Sequence, residues 1–378
     1  MSDSELPQQP KVPEELIHTL RLSLISGVGP RTRRALLDRF GSSEAALNAA
    51  PGELRGVEGV GPKLVEKIVA ARQQNDAEDQ IARCRELGVT ILAEYEPGYP
   101  SLLGQIHDPP AVLFLRGQIR PEDQAAIAVV GTRHATPYGL RQAERLAGSQ
   151  AQAGLTIVSG LARGIDAAAH RGALAAGGRT LAVLGSGVLN VYPPEHEELA
   201  AAVIGRGALI SEAPPLAAPH SGVFPQRNRI ISGLSLGVIV VEADHRSGAL
   251  ITARQANEQG REVFAVPGRV DDRTSHGCHR LIRDGAKLVE SADDVLEELG
   301  PMFQPALRGD GRELRAPAEL LLNELEQQVL DAIETQATPI DTILVSTGLT
   351  VSQVLSTISV LEMRHLIRRL SGATVMRI

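Results

Sequence analysis

A regular alternation of short apolar runs and helix-like stretches, over residues 89–300, constrains the fold of this chain most strongly. The apolar runs are rich in valine, isoleucine and alanine, and lie at 125–130, 156–158, 180–184, 208–210, 236–241 and 262–266. Most of them precede a stretch with the pattern of a helix, such as 165–175 and 249–259. Strands that alternate with helices favour a parallel, doubly wound sheet covered by helices on both faces. We therefore predict an α/β fold for this region.

The segment before the sheet contains a local repeat, because a Gly-x-Gly-Pro turn occurs at 27–30 and again at 59–62. Each turn precedes a helical stretch, and proline is tolerated in the first helical turn because its missing N–H is not needed there. The pattern is typical of helix-hairpin-helix motifs, in which such turns direct backbone N–H groups at a DNA phosphate. A small helical bundle with tight turns is the alternative interpretation.

The segment after the sheet predicts a winged helix. Helical stretches lie at 320–335, 340–347 and 350–364, and a hairpin follows, with strands at 367–370 and 374–376 and a turn at Ser371-Gly372. The third helix carries no basic residue over 350–361, whereas a helix that reads duplex DNA needs such side chains. A protein contact or a regulatory role is therefore favoured for this domain over specific duplex recognition.

These patterns divide the chain into five predicted regions. They are a disordered tail over 1–12, a helix-hairpin-helix or SAM-like helical domain over 13–88, an extended Rossmann-like domain over 89–300, a linker over 301–317, and a winged-helix-like domain over 318–378.

Composition narrows the class of protein further. The chain has 378 residues, 43% of them hydrophobic, which is enough for sizeable cores, yet no apolar run reaches the length of a membrane span. No signal-peptide segment is evident at its start, and Cys84 and Cys278 lie far apart without metal-ligand spacing. We expect a cytoplasmic protein without a disulfide, a metal site or a cofactor. The net charge of −7 disfavours nucleic-acid binding over the whole surface but leaves room for a local basic pocket.

Three glycine-rich loops follow predicted strands: Gly131-Thr132-Arg133, the segment 159–166, and Gly185-Ser186-Gly187. In doubly wound sheets, ligands bind beyond the carboxyl ends of the strands. Glycines let the backbone approach a ligand, free N–H groups at a helix start favour an anion, and arginine adds charge-assisted bonds to phosphate. The loops therefore predict a phosphate-binding edge. The alternative is three ordinary turns with arginines in solvent.

The densest motif is Phe224-Pro-Gln-Arg227-Asn-Arg229, which continues as Ile-Ile-Ser-Gly-Leu-Ser. Aromatic residues are scarce, with five Phe, four Tyr and no Trp, so one beside two arginines is notable. An aromatic ring can stack on a base while arginines hold the phosphates, as in proteins that bind single strands. The alternative places Phe224 in the core and the arginines on the surface or in ion pairs.

Acidic residues admit two interpretations as well. Glu212 and Glu242 each follow a predicted strand and could act as acid or base, or could pair with Arg227 or Arg229. Asp166 and His170 stand one helical turn apart, and a structural role is favoured over a catalytic dyad.

In order and spacing, the motifs of 131–268 resemble the DNA-processing protein A (DprA/Smf) family. The matching blocks are Gly131-Thr-Arg, Ser159-Gly-Leu-Ala-Arg-Gly-Ile-Asp, Leu184-Gly-Ser-Gly, Tyr192-Pro-Pro, Ser211-Glu, Phe224-Pro-Gln-Arg-Asn-Arg-Ile-Ile-Ser-Gly-Leu-Ser, Val240-Val-Glu-Ala, Ser247-Gly-Ala-Leu-Ile-Thr and Phe264-Ala-Val-Pro-Gly.

This resemblance implies a homodimeric protein that binds single-stranded DNA and loads RecA recombinase onto it in natural transformation and recombination, without enzymatic activity or catalytic residues. It implies a DNA site formed by Arg133, Ser159, Gly160, Arg163, Gly164, Phe224, Arg227 and Arg229. It also implies dimer contacts at His279, Ile282 and Leu288. The surface that contacts RecA would include Arg254 and Asn257.

Two other functions remain as alternatives. The first is a nucleotide phosphoribohydrolase, because related Rossmann-like folds host such enzymes and Glu242, Ser247, Gly248 and Thr252 could serve one. The Pro-Gly-Gly-x-Gly-Thr loop typical of those enzymes is missing, which counts against it. The second is a scaffold whose arginines are all held in ion pairs.

Overall fold

The structure is a computed structural model, and it describes residues 12–220, 222–299, 306–307, 313–314, 322, 324–334, 336–363, 366–370 and 373–377. It is a mixed α/β fold with a helical region before the sheet and a smaller α/β region after it, which confirms the predicted fold class. Most of the predicted tail, most of the predicted linker and the predicted turn at Ser371-Gly372 lie outside the described residues.

The strands are β1 (Thr90–Ala93), β2 (Val112–Gly117), β3 (Ala126–Val130), β4 (Thr156–Ser159), β5 (Thr180–Val183), β6 (Ala208–Ser211), β7 (Gly237–Val240), β8 (Glu262–Ala265), β9 (Lys287–Leu288), β10 (Ala306–Leu307), β11 (Glu313–Leu314), β12 (Thr338–Pro339), β13 (Ile367–Arg369) and β14 (Thr374–Arg377).

The helices are α1 (Glu14–Leu24), α2 (Pro30–Phe40), α3 (Ser43–Asn48), α4 (Pro51–Leu54), α5 (Pro62–Ala71), α6 (Asp76–Glu86), α7 (Ser101–Gly104), α8 (Pro137–Gln152), α9 (Ile165–Ala175), α10 (Glu197–Arg206), α11 (Val223–Gly233), α12 (Ala249–Glu258), α13 (His276–Arg283), α14 (Ala292–Leu299), α15 (Glu324–Asp331), α16 (Ile340–Thr347) and α17 (Val351–Met363).

The central sheet has nine strands in the order β1-β2-β6-β5-β4-β3-β7-β8-β9. The strands from β6 to β9 in this order are parallel, while β1 and β2 extend one edge as antiparallel strands. From β3 the chain builds β4, β5 and β6 on one side and then returns to place β7 and β8 on the other. The order in which strands are added therefore reverses between β3 and β7, and this position is a topological switch point.

Both faces of the sheet are buried, which explains why its strands are continuous apolar runs. In β3, Ile127 and Val129 pack on one face with α8, α9 and α14, while Ala126, Ala128 and Val130 pack on the other with α11 and α12. Successive side chains of a strand point to opposite faces, so one run supplies two cores. This double burial fixes the positions of the loops at the carboxyl ends of the strands.

The helical region at the start of the chain has its own core, and it also packs against the sheet. Leu16 and Leu20 of α1 share a core with Phe114 of β2, and the Arg33 guanidinium of α2 binds the Glu94 carboxylate at 2.8 Å. The two Gly-x-Gly-Pro turns lead into α2 and α5, as the repeat predicts.

The region after the sheet combines α15, α16 and α17 with a three-stranded sheet in the order β12-β14-β13, the arrangement predicted as a winged helix. The predicted helix 340–347 matches α16. The predicted helix 320–335 corresponds to α15, which ends at Asp331, and 332–334 are not helical. Among the described residues, no single helix is long and apolar enough to cross a bilayer. Residues 340–347 and 351–362 meet that criterion only together, across a bend of 116°.

His170 is buried inside the sheet domain as a neutral side chain. Its Nδ1 lies 2.7 Å from Thr180 Oγ1, and that hydroxyl donates in turn to the Ile157 carbonyl at 2.8 Å. The hydroxyl proton is therefore used, so Nδ1 must be the donor toward Thr180. Burial lowers the pKa of His170 to about 3, with further lowering by His196 and the nearby arginines. The residue is structural, as the sequence favoured.

This burial predicts a stability that falls in acid. The pKa of His170 is lower in the folded than in the unfolded protein. The contribution of this residue to the free energy of unfolding is therefore complete above pH 6.5 and is lost as the pH falls toward 3. Between pH 7 and 5 we expect His170 to account for a loss of about 2 kcal/mol in the free energy of unfolding. His170→Asn should remove that share of the loss, as measured by urea unfolding followed by circular dichroism. The exposed His245, changed to Asn, is the control. An equal acid loss in H170N and wild type would contradict the prediction.

Candidate functional site

An open cleft of about 360 Å³ lies at the switch point of the sheet, beyond the carboxyl ends of β3 and β7. Its walls come from the loop 131–134, the first turn of α11 and the segment 244–249, with Ala162 and Asp166 at its base. The predicted loops after β3 and β4 therefore meet at one edge. The third loop, at Gly185, lines a neighbouring cavity.

The loop Gly131-Thr132-Arg133 is held by backbone hydrogen bonds on both sides. The Thr132 N–H donates to the Glu242 carbonyl at 2.8 Å, and the Thr132 carbonyl accepts from the Ile165 N–H at 3.2 Å. A Cβ on Gly131 would come within 2.5 Å of the Ile165 side chain, so glycine is required there. The loop leaves Arg133 exposed at the cleft, and its Cζ lies 4.9 Å from the ring centroid of Phe224.

Glu242 fixes the far end of the same loop. Its carboxylate accepts hydrogen bonds from the Thr136 N–H at 2.9 Å and from the Thr136 hydroxyl at 2.5 Å, at the start of α8. The side chain is buried, and a Cβ on Gly139 would overlap its carboxylate. Glu242 therefore binds neither Arg227 nor Arg229, and it is the position of Thr136 that it secures.

The loop 159–164 contributes glycines that allow close packing. Gly160 lies under the guanidinium of Arg227, where a Cβ would be 1.7 Å from Nη1. Gly164 has φ +75°, and its Cβ would be 2.3 Å from the Thr132 carbonyl oxygen. Between them Leu161, a non-glycine residue, has φ +56°, which marks a strained backbone. The Ser159 hydroxyl is buried and donates to the Val129 carbonyl, so it does not line the cleft.

Arg227 is a buried cation in the wall of the cleft. Its Nη1 donates to the Val183 carbonyl at 2.9 Å, and only 7% of the residue is exposed. Burial lowers the pKa of Arg227 to about 10, although Asp166 opposes this shift and Arg133 adds to it. Burial likewise raises the pKa of Asp166, and Arg227 opposes that shift. A bound anion would compensate the buried positive charge.

The other two predicted arginines are engaged by carboxylates. Arg229 is buried, and its Nη2 donates to both oxygens of Glu212, at 2.8 and 2.6 Å, while its Nε lies 3.3 Å from Asp108. Arg163 is exposed and pairs with Glu195. Neither lines the cleft. Of the two acids considered from the sequence, Glu212 is therefore the partner of Arg229.

The sequence missed two features of this site. The motif that begins at Phe224 lies on a helix, α11, so Phe224 and Arg227 stand one turn apart on the same side. Arg246 also lines the cleft, and among the described residues no carboxylate pairs with it. A basic residue shortly after the strand 236–241 was the signal that could have identified it.

The residues predicted for protein contacts lie elsewhere on the surface. His279 and Ile282 are partly exposed on α13, and Leu288 is 48% exposed on β9, which is an edge of the sheet. Arg254 and Asn257 are exposed and one turn apart on α12. Within the described part of the chain, no three His, Cys, Asp or Glu side chains are grouped as a metal site requires.

A largely parallel, doubly wound sheet with a cationic, glycine-lined cleft at its switch point defines the class, a Rossmann-like protein. Comparison with known families then identifies the group. The family model for DNA recombination-mediator protein A matches 90–300, a SAM-like helix-hairpin-helix tandem matches 19–74, and the DprA winged-helix domain matches 313–373. The chain belongs to the DNA-processing protein A (DprA/Smf) family, as its motifs indicated.

Three relatives illustrate the similarity. The chain is 36% identical to Protein Smf of Synechocystis, over 96% of this chain and 99% of that protein. The crystal structure of DNA processing protein A from Streptococcus pneumoniae matches with a TM-score of 0.64 and 35% identity, over 76% of this chain and 98% of that one. The protein from Helicobacter pylori, described for its single-stranded DNA binding mode, matches with a TM-score of 0.51 and 29% identity, over 56% and 95%.

Proposed function

We propose that the protein binds single-stranded DNA in the switch-point cleft. The observation that carries this proposal is the cleft itself, which is lined by exposed Arg133 and Arg246, buried Arg227 and partly exposed Phe224, with Arg133 over the Phe224 ring. Arginines that hold phosphates beside an aromatic ring that stacks on a base are the usual means of binding an unpaired strand. The single-stranded DNA binding mode described for the Helicobacter pylori relative supports the same ligand.

The predicted residues take two roles in this proposal. Arg133, Arg227 and Phe224 touch the strand, and the backbone of Gly160 and Gly164 lets the loops come close enough to form the cleft. The other three predicted side chains support the site without contacting the strand. The Ser159 hydroxyl is bonded inside the sheet, and Arg163 and Arg229 are bound by carboxylates.

An unpaired strand suits this cleft better than a duplex. The protein carries a net charge of −7, so a rigid duplex would bring many phosphates near an acidic surface. A flexible strand can place a few nucleotides in the cleft and keep the rest away from that surface.

Binding of oligo-dT and of a duplex of equal length, measured by fluorescence anisotropy at several salt concentrations, tests this proposal. We expect the single strand to bind at least about tenfold more tightly than the duplex. If two or three phosphates are neutralised, the slope of log K against log salt should be about −1.4 to −2.1. Equal affinity for both, or an affinity that salt leaves unchanged, would contradict the proposal.

We further propose that the protein is a cytoplasmic homodimer that loads RecA recombinase onto the bound strand during transformation and recombination. Leu288 is exposed on the edge strand β9, and Ile282 and His279 are partly exposed on α13; this apolar surface supports the proposed dimer contact. Arg254 and Asn257 present a polar face on α12 that suits a RecA contact.

A binding role is favoured over an enzymatic one. The phosphoribohydrolase alternative needs Glu242 as a free acid or base, yet its carboxylate is buried and accepts two hydrogen bonds from Thr136. Ser247 and Gly248 are accessible at the cleft, whereas Thr252 is buried in its wall. Incubation with nucleoside monophosphates tests the alternative, since an enzyme of that class would release the free base.

A further inference from the structure

A second cavity, of about 230 Å³, lies between the sheet and the helical domain at the start of the chain. The sheet contributes the ends of β5 and β6, and the helical domain contributes the first Gly-x-Gly-Pro turn with Val28, Gly29 and Pro30. We call it the interdomain cavity. The function proposed above does not use it.

The interdomain cavity adjoins the switch-point cleft. Arg227 lines both of them, on the first turns of α11. Phe224 of the same helix lines the cleft. Gly185, which lines the interdomain cavity, lies close to that ring, since a Cβ on Gly185 would be 3.1 Å from Phe224 Cδ1. A strand held by Arg227 and Phe224 therefore has a neighbouring recess within reach of its next base.

The walls of the interdomain cavity suit a flat apolar ring with one polar edge. Val28, Pro30, Leu184 and Val223 are apolar, and Glu212 belongs to a polar part of the wall with Arg33, Gln226 and Arg227. Glu212 is about one-third exposed although Arg229 binds it, so its oxygens retain lone pairs for a further donor. The volume is below the roughly 300–1,000 Å³ typical of sites for larger ligands, which favours a single base.

We propose that the interdomain cavity receives one base of the bound strand and prefers a base with an exocyclic amino group; this inference depends on the function proposed above. A carboxylate accepts a hydrogen bond from the N4 amino group of cytosine. Thymine presents the O4 carbonyl at the same position, and two acceptors facing each other repel. The first hairpin turn of the helical domain is then part of the DNA site.

The repeat in the sequence supplies a matched pair of variants. Gly29 has φ −86° and ψ 176°, an ordinary extended conformation, and a Cβ there would meet nothing within 4 Å. Gly61 holds the same place in the second turn, with φ −83° and ψ 170° and equally open space, but it does not line the cavity. Gly29→Leu should fill the interdomain cavity, while Gly61→Leu makes the same helix-start change elsewhere.

The experiment measures binding of oligo-dC and oligo-dT by wild type, G29L and G61L. We expect wild type and G61L to bind oligo-dC about fivefold more tightly than oligo-dT. G29L should lose about tenfold in affinity for oligo-dC, because one base contact is removed, and should bind the two oligonucleotides alike.

Failure of this inference can be told apart from failure of the proposed function. If wild type binds neither oligonucleotide, the proposed function itself is wrong. If wild type binds both but G29L behaves like G61L, the base site is wrong and the switch-point cleft stands. If wild type binds oligo-dT as tightly as oligo-dC, the role of Glu212 is overturned.

Discussion

Arg133→Ala should weaken binding of oligo-dT by about 10-fold to 100-fold. The guanidinium is exposed at the cleft, lies 4.9 Å from the Phe224 ring centroid, and has no carboxylate partner among the described residues. Its charge is therefore available to a phosphate, and a charge-assisted hydrogen bond contributes about 1.5–3 kcal/mol. Fluorescence anisotropy with labelled oligo-dT measures the change, and the salt slope should become shallower by about 0.7.

Arg206→Ala is the matched control for this loss of charge. Arg206 ends α10 just before β6 and donates to the Gly177 carbonyl, so it lies at the opposite, amino edge of the sheet. R206A removes the same formal charge without touching the cleft, and we expect it to bind as wild type does. Equal weakening in R133A and R206A would mean that net charge, rather than the cleft, governs binding.

The predicted parts of the fold are those that local pattern determines. Helices α9 and α16 were predicted with their observed ends, because Gly164 stands just before the first and Gly348 just after the second. Helix α11 was not predicted, since its first turn is Val-Phe-Pro-Gln and its arginines interrupt the apolar pattern. The antiparallel strands β1 and β2 follow from the pairing of β1 with β2 and of β2 with β6, which a single sequence does not reveal.

The candidate site was predicted in its location but only partly in its details. The three loops at one edge followed from the topology of parallel sheets, whereas the state of each arginine depends on contacts distant in the chain. Arg229 meets Glu212 and Asp108, and Arg163 meets Glu195, so two of the four predicted arginines are neutralised. The sequence offered both possibilities for these side chains, and the carboxylates that the fold places beside them decide between the two.

Gly164→Ala should lower the free energy of unfolding and the affinity for oligo-dT more than any other single methyl group added around the cleft. The residue has φ +75° and ψ −123°, a conformation that suits only glycine, and a Cβ would be 2.3 Å from the Thr132 carbonyl oxygen and 2.9 Å from the Arg133 carbonyl carbon. The obstacles are backbone atoms, so the two loops must separate. We expect a loss of about 2–4 kcal/mol in the free energy of unfolding.

Binding should suffer more in G164A than in R133A, because separating the loops displaces Arg133 and the start of α9 together. Gly177→Ala separates this effect from the backbone cost. Gly177 has a similar φ of +74°, but a Cβ there meets nothing within 4 Å. G177A should therefore cost only about 1 kcal/mol and bind oligo-dT normally. Thermal unfolding by circular dichroism and anisotropy on the folded fraction measure both variants. If G164A matched G177A in stability and in affinity, close contact between the two loops would not be what shapes the site.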